Sequence, residues 1–190
     1  MILKTLQIPE ADQLPIKSMI CFMMELENLF EYIGEYLLSF GETVATAESV
    51  TSGFLQFSFS QMKEASRFFK GGMTAYTLNE KVGLLSVNKD EVRQYNCVSR
   101  QIAKTMALEV ASLYNTDWAI GVTGYAVPAK ESKGKIYSYF AIVYKGEVIL
   151  SEKLDLHSRT KPMNAKLFYT EFILECFKLE LQKHFGKCKP

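Results

Sequence analysis

Thr43-Val44-Ala45-Thr46-Ala47-Glu48-Ser49-Val50-Thr51-Ser52-Gly53 is the stretch whose reading decides the fold. The apolar run Thr43 to Ala47 reads as a buried strand. Hydroxyls, a carboxylate and a glycine then crowd the point where the strand ends and a helix over Phe54 to Met62 begins. The first turn of a helix leaves its N–H groups without internal partners, so this junction can offer donors to an anion or a developing oxyanion. Ser and Thr at such a point also serve as ordinary N-caps, and the junction alone leaves both roles open.

Working outward, Leu26, Leu29, Phe30, Ile33 and Leu37 form one apolar stripe of a helix that starts at Met24, and Gly41 sits where a C-terminal glycine ends it. Downstream, a short helical segment over Glu64 to Lys70 leads through Gly71-Gly72 into a second strand, Met73 to Thr77. Short helices follow over Asn79 to Leu85 and Lys89 to Gln94. A stronger one is capped by Ser99 and carries Ile102, Met106, Val110 and Leu113. Trp118 to Thr123 is the next strand. Ile136 to Tyr144 and Glu147 to Leu156 make a hairpin across Lys145-Gly146, and Pro162 opens a final helix to about His184. Strands separated by helices, plus one hairpin, predict an α/β fold whose mixed sheet is covered on both faces. Residues 1–23, with Pro9 and Pro15, read as a loosely attached N-terminal extension to a domain over 24–187.

The chain has 190 residues, 48% of them hydrophobic, enough for one good-sized core. Lys and Arg number 22 against 21 Asp and Glu, with no basic block, which argues against nucleic acid as the main partner. No apolar run reaches the length of a membrane span and no secretory signal stands out, so a cytoplasmic protein is expected. Cys21, Cys97, Cys176 and Cys188 lack C-x-x-C spacing, which argues against structural zinc and a disulfide framework. Only His157 and His184 carry imidazole, and they stand far apart. Hydrolytic chemistry here is expected to use a base other than histidine, with neither metal nor cofactor.

Several segments stand in a fixed order: Ala47 to Gly53, Ala65 to Gly72, Tyr76 to Lys81, Leu84 to Val87, Val98-Ser99 and Val122 to Pro128. As a set they resemble the CinA C-terminal domain family, whose pattern runs A-E-S-C-T-G-G, then a segment ending G-G-x-x-x-Y-S-N-x-x-K, then V-S and V-T-G-x-A-G-P. The resemblance covers about residues 25 to 180. It implies a three-layer α/β/α sandwich with a mixed sheet, and a homo-oligomer. Members include nicotinamide mononucleotide deamidases, so it also implies hydrolysis of that nucleotide's carboxamide to nicotinate mononucleotide and ammonia.

The resemblance carries a nucleophile onto Ser49, its proton acceptor onto Lys81 and a supporting hydroxyl onto Tyr76. It also matches Arg159 to a family arginine suited to the phosphate of a small-molecule nucleotide substrate. Beside it, the N–H groups of Thr51, Ser52 and Gly53 are candidates for an oxyanion or that phosphate, Glu48 for a ribose hydroxyl, and Thr123-Gly124 ends a strand where ligands collect. A serine hydroxyl is a weak nucleophile at neutral pH, and a lysine accepts its proton only when burial or a nearby cation lowers its pKa. Each residue also has an ordinary role: Ser49 as a cap, Lys81 as a solvated helix lysine, Tyr76 as packing. Likewise Glu48 would brace its loop, Thr123-Gly124 would close a turn, and Arg159 would be a surface arginine.

The chain departs from the family pattern at Val50, Ser52, Ala65 and Val127, and shortens the loop after Pro128. Ser52 and Val127 replace family glycines, and at Val127 a β-branched side chain stands where positive φ or close approach to a ligand is expected. These departures support an alternative, a catalytically decayed relative that binds a nucleotide or a protein partner.

Overall fold

Side chains along β1 (Val44–Glu48) alternate between two cores: Val44 joins one hydrophobic cluster, Ala45 and Ala47 another. All five residues of the strand are buried, as in a strand covered on both faces. The computed structural model describes residues 16–87 and 97–185. Around β1 are arranged β2 (Phe69–Thr74), β3 (Trp118–Tyr125), β4 (Ile136–Tyr144) and β5 (Glu147–Leu156). They form one sheet in the order β2-β1-β3-β4-β5. β1 runs parallel to β2 and β3, whereas β3–β4 and β4–β5 are antiparallel, giving the expected mixed sheet.

The helices are α1 (Ile16–Phe40), α2 (Phe54–Ser60), α3 (Leu78–Leu85), α4 (Arg100–Tyr114) and α5 (Pro162–Phe185). Leu29, Ile33 and Leu37 of α1, Leu55 and Phe59 of α2, and Tyr169, Ile173 and Phe177 of α5 close over Trp118, Ile120 and Val122. Burying each of the larger side chains contributes about 2–3 kcal/mol. On the opposite face Leu85 of α3 and Ile102, Met106 and Val110 of α4 cover Ala45, Ala47, Ala119 and Ala141. The small residues of that face let α4 lie close. At Gly121 an added Cβ would stand 2.4 Å from the Ala103 carbonyl oxygen and 2.5 Å from the Ala107 nitrogen. The three-layer α/β/α sandwich is present.

Ser99 caps α4 as expected, accepting from the Ile102 N–H at 3.1 Å. The β4–β5 hairpin turns at Lys145-Gly146, both at positive φ. Three expectations differ from the structure. α1 starts at Ile16, so the boundary between residues 23 and 24 falls inside a continuous helix. The segment Glu64 to Lys70 is a single 3₁₀ turn, Ala65–Arg67, and the strand begins at Phe69, with Gly71-Gly72 inside it. The reason is steric: a Cβ at Gly72 would lie 2.3 Å from Thr46 Oγ1, and one at Gly71 would lie 2.9 Å from the Tyr114 ring. The helix expected over Lys89 to Gln94 lies outside the described residues.

Candidate active site

Where β1 ends, Glu48 folds back beneath the turn that follows it. Its carboxylate is fully buried and accepts hydrogen bonds from the Thr51 hydroxyl (2.7 Å) and the Gly53 (2.9 Å), Leu55 (3.2 Å) and Gln56 (2.8 Å) N–H groups. A negative charge at a helix N-terminus is favourable on both hydrogen-bonding and dipole grounds. Glu48 therefore anchors the start of α2, and Thr51 and Gly53 serve that anchor. The Thr51 hydroxyl and the Gly53 N–H, both expected at the substrate, are thus engaged by the Glu48 carboxylate.

The brace holds Ser49 at the tip of the strand. Lys81, on the second turn of α3, donates to Ser49 Oγ at 2.8 Å and to the Tyr76 carbonyl at 3.4 Å. Ser49 is 6% exposed and Lys81 3%. Burial pushes the Lys81 amine below its ordinary range, and the weaker influences of Cys97 and Glu80 act in the opposite direction. Lys81 has no ion-pair partner among the described residues. A buried amine without a counter-charge, touching a serine hydroxyl, is arranged to take a proton.

The pair opens onto a cavity of about 400 Å³, within the usual range for small-molecule sites. Tyr76, Cys97, Val98, Gly124, Tyr125, Val127 and Lys166 are among its walls. A smaller concavity of about 270 Å³, between α1 and α5, contains none of these groups.

Tyr76 is 63% exposed and borders the cavity through its ring; its hydroxyl makes no hydrogen bond to Ser49 or Lys81, and its carbonyl is what meets the lysine. Gly124 lines the cavity. Thr123 does not: fully buried, it donates its hydroxyl to the Cys97 carbonyl at 2.9 Å and so fixes the segment that carries Cys97. Arg159 is exposed and forms no part of the cavity wall. Val127, expected to suffer at a glycine position, keeps negative φ, and its half-exposed side chain borders the cavity. Ser52 does take the left-handed conformation, with φ of 54°.

Cys97, Tyr125 and Lys166 carry no role in the sequence reading. Cys97 directly precedes the Val98-Ser99 motif, a signal that was available. Burial pushes its thiol up, with Lys81 acting against that. Burial, followed by the neighbouring Tyr137, pushes the Tyr125 phenol up to about 12, so it stays a neutral donor. Lys166 lies 114 positions beyond Ser52, whose hydroxyl it reaches at 2.9 Å, and no local pattern points to it.

The model of the CinA C-terminal domain matches residues 26–172. A CinA-like protein of Prochlorococcus marinus is 36% identical over 115 residues, 60% of this chain and 27% of that protein. A CinA-like protein of Flavobacterium psychrophilum is 29% identical over 177 residues, 92% of this chain and 42% of that protein. The chain thus spans less than half the length of these curated relatives. Among solved structures, a competence or damage-inducible protein from Enterobacter asburiae superposes with a TM-score of 0.77 at 22% identity, covering 82% of this chain and 98% of that one. A competence-damaged protein (CinA) superfamily protein from Escherichia coli does so with a TM-score of 0.70 at 23% identity, covering 94% and 95%. At such identities the likeness shows the fold.

Proposed function

The chain belongs to the CinA C-terminal domain family, and from that premise we propose that it is a serine–lysine amidohydrolase acting on the carboxamide of nicotinamide mononucleotide. The observation that carries this reading is the 2.8 Å contact between the Lys81 amine and Ser49 Oγ, buried and free of any counter-ion among the described residues. Ser49 Oγ attacks the carboxamide carbon while its proton passes to neutral Lys81. The tetrahedral oxyanion collapses, Lys81 returns the proton to the leaving nitrogen, and ammonia departs, leaving an ester on Ser49. Water then gives its proton to Lys81 and attacks the ester, releasing nicotinate mononucleotide and the free serine. The Val50 N–H has no acceptor among the described residues and belongs to a residue on the cavity wall, which suits it to the oxyanion.

Ammonia release from nicotinamide mononucleotide by the wild type, Ser49→Ala and Lys81→Ala tests the mechanism. Activity in the wild type alone is expected; equal rates in all three would remove it. A second reading, a relative that binds nucleotide without turnover, draws support from the left-handed Ser52 in place of a glycine. Calorimetric binding in the absence of ammonia release would favour that reading. The chain is also proposed to form a homo-oligomer, and a monomeric mass in light scattering would reject this.

A further inference from the structure

Lys166 lies in the second turn of α5, four residues after Pro162, and the two line the same cavity. Its ammonium donates to Ser52 Oγ at 2.9 Å, and it takes part in no ion pair among the described residues. A neutral hydroxyl orients a cation but leaves its charge uncompensated. Ser52 Oγ in turn donates to the Ser49 carbonyl at 3.3 Å, so the ammonium stands two hydrogen bonds from the backbone of the proposed nucleophile. Ser52 holds this position at φ 54°, a conformation that costs a side-chain-bearing residue about 1–2 kcal/mol. Strain of that kind next to a reactive group is the sort retained where a side chain is needed in one place.

The α2 N-terminus and the other cationic side chains near the cavity are not available to hold a phosphate. The α2 N-terminus is filled by Glu48. Arg159 is exposed and off the cavity wall. Lys81 must be neutral to act as a base. Lys166 is left as the one lysine or arginine on the described cavity wall whose charge is free for a ligand.

We propose that Lys166, oriented by Ser52, is the specificity-determining anchor for a phosphomonoester on the amide substrate, the part elsewhere expected of Arg159. This rests on the amidohydrolase reading for its substrate, and on the cavity alone for its geometry. A lysine holds a phosphate as a compact point charge with three donors. The anchor would select a mononucleotide over the corresponding riboside and fix the distance from phosphate to Ser49.

The experiment compares nicotinamide mononucleotide with nicotinamide riboside in the wild type, Lys166→Ala, Lys166→Arg and Ser52→Ala, by steady-state kinetics and by calorimetry. Lys166→Ala is expected to raise KM and Kd for the mononucleotide by about 10- to 100-fold. It should change kcat by less than about threefold and leave the riboside unaffected, since uniform binding is what is lost. Lys166→Arg should recover most of the preference, and Ser52→Ala should lose part of it. Equal losses for both ligands, no loss for either, or a wild type that binds neither overturns the anchor. If no variant releases ammonia but the wild type binds the mononucleotide in a Lys166-dependent way, the anchor stands while the hydrolase reading falls. Turnover that is indifferent to Lys166 gives the reverse.

Discussion

Glu42 and Lys81 are both buried ionisable side chains, set at opposite ends of β1, and their surroundings could hardly differ more. Glu42, just before the strand, is 8% exposed and surrounded by donors: Trp118 Nε1 at 2.5 Å, Tyr144 Oη at 2.8 Å and Lys145 Nζ at 3.3 Å. It ties the start of β3 to the end of β4. Lys81, beyond the strand's other end, has a serine hydroxyl and one carbonyl. A buried charge with its partners in place is compatible with a stable fold, whereas one without them is held at a cost in stability, as is common at functional sites. The same sheet is closed at one end and, in the proposed mechanism, reactive at the other.

Substituting at the two ends separates those roles. Lys81→Met should reduce ammonia release by at least about 10³-fold. The same change should leave the urea midpoint unchanged or higher, because an apolar chain suits the buried position. A large loss of stability would show that Lys81 is a structural residue. Glu42→Ala should do the opposite. It strands the Trp118 and Tyr144 donors, lowering unfolding free energy by about 3 kcal/mol in urea titration with kcat little changed. Glu48→Gln falls between the two ends, because an amide would turn a donor toward the N–H groups and hydroxyl that Glu48 now satisfies. A loss of about 1–3 kcal/mol is expected, with some loss of activity through a displaced Ser49.

The pH dependence sharpens the same contrast. The folded pKa of Lys81 lies below its ordinary 10.5 because of burial. Between the two values the folded state holds fewer protons than the unfolded one. Stability therefore rises with pH across that window, and is lost as pH falls through the folded pKa. Activity should climb over the same lower limb, since only the free amine accepts a proton. Lys81→Met should abolish the stability slope, which chemical denaturation at several pH values would detect. The smallest effect is expected from Ser52→Gly. Relief of the left-handed serine should raise stability by up to about 1 kcal/mol, seen as a small rise in Tm.

Much of this was legible along the chain because it is local. The β1–α2 junction, the Ser99 cap and the Lys145-Gly146 turn each depend on residues within a few positions of one another. The pairing of Ser49 with Lys81 was legible only through the ordered set of motifs, since nothing in periodicity joins positions so far apart. Gly71-Gly72 reads locally as a break between elements. It lies inside a strand because Thr46 and Tyr114, distant in sequence, leave no room for a side chain. The internal hydrogen bonds of Glu48 and Thr123 were not legible for a related reason: residue type and motif position do not reveal whether the protein itself has already used a polar group. Lys166 was invisible because it reaches the cavity from the last helix.

Gly121 ties the shape of the cavity to the tightness of the fold. Its missing side chain lets α4 rest directly on β3, and the residues leading into that helix, Cys97 and Val98, form part of the cavity rim. A single methyl there would act as a shim, lifting the helix and moving that rim without altering Ser49 or Lys81. Relatives that accept bulkier molecules could thus arise by spacing one layer from another, leaving that serine and lysine where they are.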